Sequence, residues 1–189
     1  MSVPTALSLG RSGELHVMSE FLFRGYNVAT TQIDVGHDLI AIQDIVRVGL
    51  RGEDGSIPYE RLWPIQVKTT SKQKRKGSDY VARYGLQLDL LYMDRSPDVT
   101  YFFLTRFSDG WGEPIIIPRS LLCESHKQGS LGNQDTTRKK IELRFRHRAG
   151  RVRCFEQDLT PYINDWGVWP ELETEDKRLR WSKEVSVET

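Results

Sequence analysis

Four polar side chains in the first 70 residues are of types that bind metal ions or activate water. They are the glutamate that ends the sequence GRSGE, an aspartate directly before an apolar run, and a glutamine and a lysine two residues apart: Glu14, Asp38, Gln66 and Lys68. Alternate residues of a strand share one face, so Gln66 and Lys68 would project together. Burying polar groups without partners is costly. A metal ion would supply a partner, and the pattern therefore predicts a metal site.

The elements that must position these side chains are a helix and three strands. Apolar residues recur at helical spacing over residues 8–24, and Gly25 suits a helix C-cap. Strands are predicted for residues 26–30, for Asp38 to residue 42 with a continuation through residues 45–50, and for residues 62–69. The sequence RGEDGS at residues 51–56 predicts a hairpin turn before the third strand, and Pro64 is tolerable only at that strand's start.

The rest of the chain adds fewer helices than strands. The leucines predict a helix at about residues 84–94, followed by strands at 100–107 and 114–117, a short helix at 119–125 and a loop at 128–137. Apolar and basic residues alternate on either side of Ala149 and Gly150, which predicts a hairpin from residues 141–147 and 151–155. We therefore predict an α/β fold with a mixed central sheet flanked by helices and an appended C-terminal β-hairpin. Residues 1–160 would form one domain, with 161–189 as a polar extension.

The composition is that of an ordinary globular chain. It has 189 residues, of which 38% are hydrophobic and 28% charged, with a formal net charge of +1. Two cysteines are too few for a disulfide framework, which indicates a reducing, cytoplasmic compartment. No apolar stretch approaches the roughly 20 residues that span a bilayer, so we expect neither secretion nor membrane insertion.

Positive charge is concentrated in two segments even though the whole chain is nearly neutral. One segment follows the third strand and the other is the predicted hairpin, and their candidate phosphate-binding residues are Lys72, Lys74, Arg75, Lys76, Arg144 and Arg146. A locally basic chain can bind nucleic acid. The alternative is that both segments are solvated faces of ordinary elements.

The order of these motifs resembles the PD-(D/E)XK, or restriction-endonuclease-like, nuclease superfamily. The shared features are a helix with G-x-x-G-E, a glycine-preceded aspartate opening an apolar strand, and a strand carrying Q-x-K. Archaeal Holliday-junction resolvases share the glutamate of the early helix, and Mrr-type restriction enzymes share the Q-x-K form. The resemblance covers roughly residues 8–118 and implies an αβββαβ core.

The resemblance implies an endonuclease that uses Mg²⁺ or Mn²⁺ to hydrolyse phosphodiester bonds, of DNA more than of RNA, in bacterial defence or repair. Asp38 would be the central metal ligand, with Glu14, the amide oxygen of Gln66 and the backbone carbonyl of Val67 completing the shell. Lys68 would orient the attacking water and stabilise negative charge. A homodimer is plausible, because cutting two strands needs two sites.

Two features depart from the family pattern. Gln66 stands where an acid is usual, which removes one negative charge, and the stretch between Asp38 and Gln66 is long. Asp34 competes with Asp38 for the carboxylate role. Each site residue also has a structural alternative: a turn aspartate, a strand-edge lysine, a solvent-facing glutamine and a first-turn glutamate.

Other functions remain open from the sequence. The chain could be a catalytically inactive nuclease-fold module that binds nucleic acid or a protein partner, or an effector or toxin–immunity component that binds protein only. A zinc site is disfavoured, because the available ligands are badly spaced for one: Cys123, His126, His147 and Cys154.

Overall fold

The computed structural model describes residues 6–31, 36–43, 61–72, 79–93, 98–135 and 139–166. The helices are α1 (Ala6–Phe23), α2 (Leu88–Leu91) and α3 (Arg119–Lys127). One sheet consists of β1 (Asn27–Thr30), β2 (Leu39–Gln43), β3 (Arg61–Ser71), β5 (Thr100–Phe107), β6 (Gly110–Trp111) and β7 (Ile115–Pro118). The other consists of β4 (Tyr80–Gln87), β8 (Asn133–Asp135), β9 (Lys140–Arg148), β10 (Arg151–Cys154) and β11 (Gln157–Asp158).

The first sheet is mixed and carries the candidate site. Its strand order is β1-β2-β3-β5-β6, with β7 also paired to β5, and the β3–β5 pair is parallel whereas the others are antiparallel. Helix α1 covers one face, where Val17 and Phe21 join the same core as Leu39, Ile65 and Val67. The period-two alternation of a strand therefore turns Gln66 and Lys68 to the opposite face.

The second sheet covers that opposite face. Its strand order is β11-β10-β9-β4, with β8 also paired to β9. Tyr84 and Phe145 each lie 5.1 Å or less from Phe103 of the first sheet, measured between ring centroids. The molecule is thus layered as helix, sheet, sheet, with two apolar cores separated by the first sheet.

Two of the predicted elements are wrong. Residues 80–87 form strand β4 and only Leu88–Leu91 are helical. The apolar residues up to Leu86 alternate with exposed ones, and the whole of β4 pairs with residues 140–147 of β9. As a result the second face of the first sheet is covered by a sheet rather than by a helix, and β4 interrupts the expected αβββαβ order. The predicted loop at 128–137 also contains the short strand β8.

The predicted hairpin exists but is not an appendage. β9 and β10 pair around Ala149 and Gly150 as expected. The residues of β9 that face inward belong to the core shared with the first sheet, among them Leu143 and Phe145, both fully buried. The hairpin is therefore an integral layer of the domain.

Most other predicted elements are confirmed within a few residues. They are α1, β1, β2, β3, β5, β7 and α3. Gly25 has a φ of 83°, as the helix C-cap requires. Pro64 pairs with Ile40 inside the β2–β3 ladder, one residue before β3 begins to pair with β5. At Pro64, the side of β3 that later pairs with β5 is still an unpaired edge, where proline is tolerated.

The C-terminal part of the described chain packs on the domain. Trp166 contacts the rings of Phe21 and Phe102 at centroid distances of 5.1 and 5.4 Å. Residues 167–189 lie outside the described residues, as do the predicted strand continuation at 45–50 and the turn at 51–56. The domain boundary at residue 160 stays a prediction. Across the described ranges, no helix is long and apolar enough to span a membrane.

Candidate active site

Asp38 is held against β3 at the point where β2 begins. Its backbone N–H donates to the carbonyl of Ile65 at 2.7 Å. Its carboxylate oxygen Oδ2 accepts hydrogen bonds from Nε2 of Gln66 at 2.6 Å and from the backbone N–H of Val67 at 2.7 Å. Two of these bonds hold the carboxylate and one holds the backbone, and all three are made to consecutive residues of β3, so Asp38 has a fixed position beside that strand.

Gln66 presents an oxygen that the protein leaves unsatisfied. The residue is only 4% exposed, and its Nε2 is used by Asp38. Among the described residues, its Oε1 is buried and has no hydrogen-bond partner. A buried acceptor without a partner costs about 1–3 kcal/mol. If the amide were flipped, Oε1 and the Asp38 carboxylate would face each other as two acceptors. The hydrogen bond to Asp38 therefore favours the amide orientation in which Oε1 is left free.

These atoms form a donor set suited to a hard cation. A carboxylate and a neighbouring amide oxygen are ligands that Mg²⁺ and Mn²⁺ accept, and a cation would satisfy the orphaned Oε1. In the described part of the chain, no three His, Cys, Asp or Glu side chains cluster so as to hold a metal. A metal ion at Asp38 would therefore depend on neutral oxygens, of which Oε1 of Gln66 is one.

Lys68 lies two residues beyond Gln66 on the same face of β3. It is half-buried, and its register partner on β5 is Phe103, which faces the second sheet. The side chain of Val67 points the other way into the core under α1 and is 7% exposed. The structure thus brings together Asp38, Gln66 and the Val67 backbone, with Lys68 next along the same face.

Glu14 is not part of this hydrogen-bonded group. Its Oε2 accepts from Nη1 of Arg11 at 2.6 Å, one helical turn earlier. Helix α1 packs on the face of the first sheet opposite to Gln66 and Lys68. On that face Gly13 lies close to β3, since an added Cβ there would overlap the methyl group of Thr69. Glu14 is therefore near the end of β3, and its role at the site stays a prediction.

A group that the sequence did not single out adjoins Gly13. The His16 ring stacks on Trp111 with centroids 5.7 Å apart, and the guanidinium of Arg106 lies 5.7 Å from the Trp111 ring. Burial lowers the pKa of His16, Glu20 opposes this shift, and Arg106 adds to it. The net effect favours the neutral form of the imidazole. No sequence motif predicts this contact, because it joins α1 to β6, a strand of only two residues.

The predicted basic residues fall in two places. Lys72 follows the end of β3, and its N–H donates to the Arg106 carbonyl at 2.8 Å. Arg144 and Arg146 lie on β9 of the second sheet. Asp34 and three further predicted residues, namely Lys74, Arg75 and Lys76, lie outside the described residues.

The structure does not assemble the disfavoured zinc ligands. Cys123 and His126 lie on α3, where Nδ1 of His126 is 2.5 Å from the Tyr92 hydroxyl. Cys154 is buried in the second sheet. His147 stacks on Tyr80 with centroids 4.0 Å apart, and burial lowers the pKa of His147 to about 4. Within the described ranges, these side chains form no cluster of three or more potential metal ligands.

The fold is shared with a bacterial homing endonuclease of known structure. The match has a TM-score of 0.52 and 16% sequence identity, and it covers 94% of this chain and 99% of that one. No protein-family model and no curated protein sequence matches the chain. At this identity the likeness concerns the fold, which is one that a nuclease uses.

Proposed function

We propose that this protein is a metal-dependent DNA endonuclease whose active site is centred on Asp38, Gln66 and Lys68. The observation that carries the proposal is the unsatisfied Oε1 of Gln66 beside a fixed carboxylate. The fold shared with a homing endonuclease supports it. The PD-(D/E)XK assignment, the Mg²⁺ or Mn²⁺ requirement and a role in bacterial defence or repair belong to the same proposal.

In this proposal each residue has a separate task. Asp38, Oε1 of Gln66 and the Val67 carbonyl hold the ion, which would supply a water of lowered pKa and neutralise charge on the phosphate. Lys68 orients the attacking water and donates to the oxygen on which negative charge develops. Glu14, which is paired with Arg11 in the structure, would complete the site directly or through a water.

The substrate is proposed to be DNA, gripped along its backbone. Lys72 to Lys76, Arg144 and Arg146 would contact phosphates, which makes affinity strongly salt-dependent. A homodimer would supply the second site that cutting both strands needs, and the protein would act in the cytoplasm.

A second candidate is a catalytically inactive module of the same fold that binds nucleic acid or a protein partner. It is favoured by one observation: Gln66 Nε2 donates to Asp38 at 2.6 Å, so the amide already satisfies the carboxylate without an ion. A glutamate at this position could not do so. Metal dependence separates the two candidates.

The test is cleavage of plasmid, junction and single-stranded DNA, and of RNA, in Mg²⁺, Mn²⁺ or EDTA. We expect metal-dependent cutting of DNA, lowered at least about 100-fold in Asp38→Asn and in Lys68→Ala. The matched controls are Asp89→Asn and Lys127→Ala, which change an exposed aspartate on α2 and an exposed lysine on α3.

Three results would contradict this proposal in different ways. Absence of cutting on every substrate, with binding intact and unaffected by both site variants, would favour the inactive module. Cutting that persists in Asp38→Asn would place the chemistry elsewhere. Absence of any nucleic-acid binding at low salt would favour a protein-only partner.

A further inference from the structure

The solvent face of the second sheet is unusually rich in arginine. Residues of β4, β9 and β10 alternate between buried and exposed positions, and the outward positions carry six arginines: Arg83, Arg144, Arg146, Arg148, Arg151 and Arg153. We call this surface the arginine face. All of its members are exposed except Arg144, which is partly covered.

The register places these arginines opposite one another. Arg83 is the direct cross-strand partner of Arg144. On the other side of β9, Arg146 faces Arg153 and Arg148 faces Arg151. Directly opposed residues have Cβ atoms about 4.5–5.5 Å apart, and like charges at that separation destabilise a sheet. The arrangement therefore works against folding unless something anionic lies over it.

The protein's own acids neutralise the arginine face only in part. Glu142 pairs with Arg144 at 2.6 Å, and Asp79 lies 3.5 Å from Arg148. Asp158 is opposite Arg153 in the register of β10 and β11. Two hydrogen bonds from Thr160 lower the pKa of Asp158 most, and the charges of Arg153 and Arg151 lower it further.

Among the described residues, four arginines of the face have no ion-pair partner, namely Arg83, Arg146, Arg151 and Arg153. Two of them, Arg83 and Arg146, lie at the centre of the face. Arg83 belongs to the opposed pair Arg83–Arg144, and Arg146 belongs to the neighbouring pair Arg146–Arg153. On β4, the residue opposite Arg146 is Val81. An anion arriving here would meet guanidinium groups on three neighbouring strands.

From this register we infer that the DNA grip proposed for Arg144 and Arg146 extends over the whole arginine face, across three strands, and holds the phosphodiester backbone away from the site of cleavage. Guanidinium groups bind phosphate through paired N–H donors, and an anion between two opposed arginines removes their repulsion. The inference rests on the proposed function, since the DNA held here is its substrate. Gln66 and Lys68 face the inner side of the second sheet, whereas the arginines lie on its outer side. The arginine face should therefore contribute affinity rather than chemistry.

The experiment measures binding of a labelled DNA duplex to the full chain by fluorescence anisotropy, in EDTA, between 0.05 and 0.3 M salt. The variants are Arg83→Gln, Arg146→Gln and the double variant. Lys127→Gln, which removes an exposed cation on α3, is the matched control. Removing one arginine–phosphate interaction should lower the slope of log affinity against log salt by about 0.9. At 0.1 M salt that slope corresponds to roughly an eight-fold weaker affinity for each arginine removed.

A structural role would not change the salt slope, and it would lower the melting temperature. We expect the arginine variants to melt at or above the wild-type temperature, because each substitution removes a repulsion. Binding of duplex RNA is measured in parallel, to show whether the arginine face holds the backbone of DNA or that of RNA. An effect on RNA with none on DNA would overturn the assignment to DNA.

Failure of this inference differs from failure of the proposed nuclease. If wild type binds DNA but both arginine variants keep its affinity and slope, the arginine face is not a DNA surface, while metal-dependent cutting that needs Asp38 would still stand. If the variants lose affinity as expected but wild type cuts nothing, the surface stands and the nuclease does not. If wild type binds no nucleic acid at 0.05 M salt, the inferred surface is overturned as well.

Discussion

At the scale of single residues, the proposed metal site depends on one amide. Gln66 both donates to Asp38 and leaves its own oxygen unpaired. We expect Gln66→Glu to lower stability without metal by about 1–3 kcal/mol, since it replaces a hydrogen bond by two adjacent carboxylates. The added negative charge should also strengthen metal binding. Thermal unfolding in EDTA and in Mg²⁺ would show a larger metal-induced rise in melting temperature for the variant than for wild type.

The control for this prediction is Gln87→Glu. Gln87 is an exposed residue at the end of β4, directly opposite Lys140, so the same chemical change there faces a cation across the strand pair. An equal response to Mg²⁺ in wild type and in both variants would show that no ion binds near Gln66. The measurement does not depend on catalytic activity.

How far the site could be predicted from the sequence differs between its residues. The grouping of Gln66 with Lys68 was predictable, because strand periodicity alone puts both on one face, and hydrogen bonding then joins Asp38 to Gln66. Their role as a catalytic site stays a prediction. The hydrogen bond from Gln66 to Asp38 was not predictable, since it depends on the orientation of an amide within a finished sheet. The partner of Glu14 could have been found, because Arg11 lies three residues before it on the same helix face.

At the scale of elements, the contact between α1 and β3 joins the helix that carries Glu14 to the strand that carries Gln66 and Lys68. Gly13 lets the helix approach β3, because a Cβ there would overlap the Thr69 methyl and lie 3.4 Å from the Trp111 ring. We expect Gly13→Ala to destabilise the protein by about 1–3 kcal/mol through overpacking, despite the higher helix propensity of alanine. Urea unfolding would measure the change.

Two companion variants make this prediction specific. Gly10→Ala lies in the same helix with open space around it, and alanine there should stabilise by up to about 1 kcal/mol. Adding Thr69→Ser to Gly13→Ala removes the overlapping methyl and should restore part of the stability. Equal effects of alanine at positions 10 and 13 would show that the helix does not depend on close approach at Gly13.

The elements that the sequence predicted well are those whose local pattern is unambiguous. β5 and β7 are short apolar runs bounded by turns, and both were predicted at nearly their observed bounds. β4 was mistaken for a helix because leucines at 86, 88, 90 and 91 satisfy a helical spacing. The competing signal was the alternation of exposed Arg83 with buried Tyr84. It prevails because β9, more than 50 residues away in sequence, provides a complete ladder.

At the scale of the whole molecule, the second sheet is the feature that sequence reasoning could not anticipate. Pairing between β4 and β9 is a long-range contact, and nothing near either strand specifies the other. The alternation of apolar and basic residues in β9 correctly predicted a half-buried strand, but not which surface it covers. That surface is the first sheet, where Phe145 lies 5.0 Å from Phe103 between ring centroids.

This shared core leads to a prediction about cooperativity. Phe145 is fully buried between the sheets, whereas Phe155, just after β10 at the tip of the β10–β11 turn, is 45% exposed. We expect Phe145→Ala to lower the free energy of unfolding by about 3–5 kcal/mol, and Phe155→Ala to change it by no more than about 0.5 kcal/mol. Tryptophan fluorescence would follow unfolding of the first sheet, because Trp63 is buried in the core under α1. If the hairpin were a mere appendage, Phe145→Ala would leave the fluorescence transition unchanged. If the two sheets form one cooperative unit, the fluorescence transition must shift together with the loss of strand signal in far-ultraviolet circular dichroism.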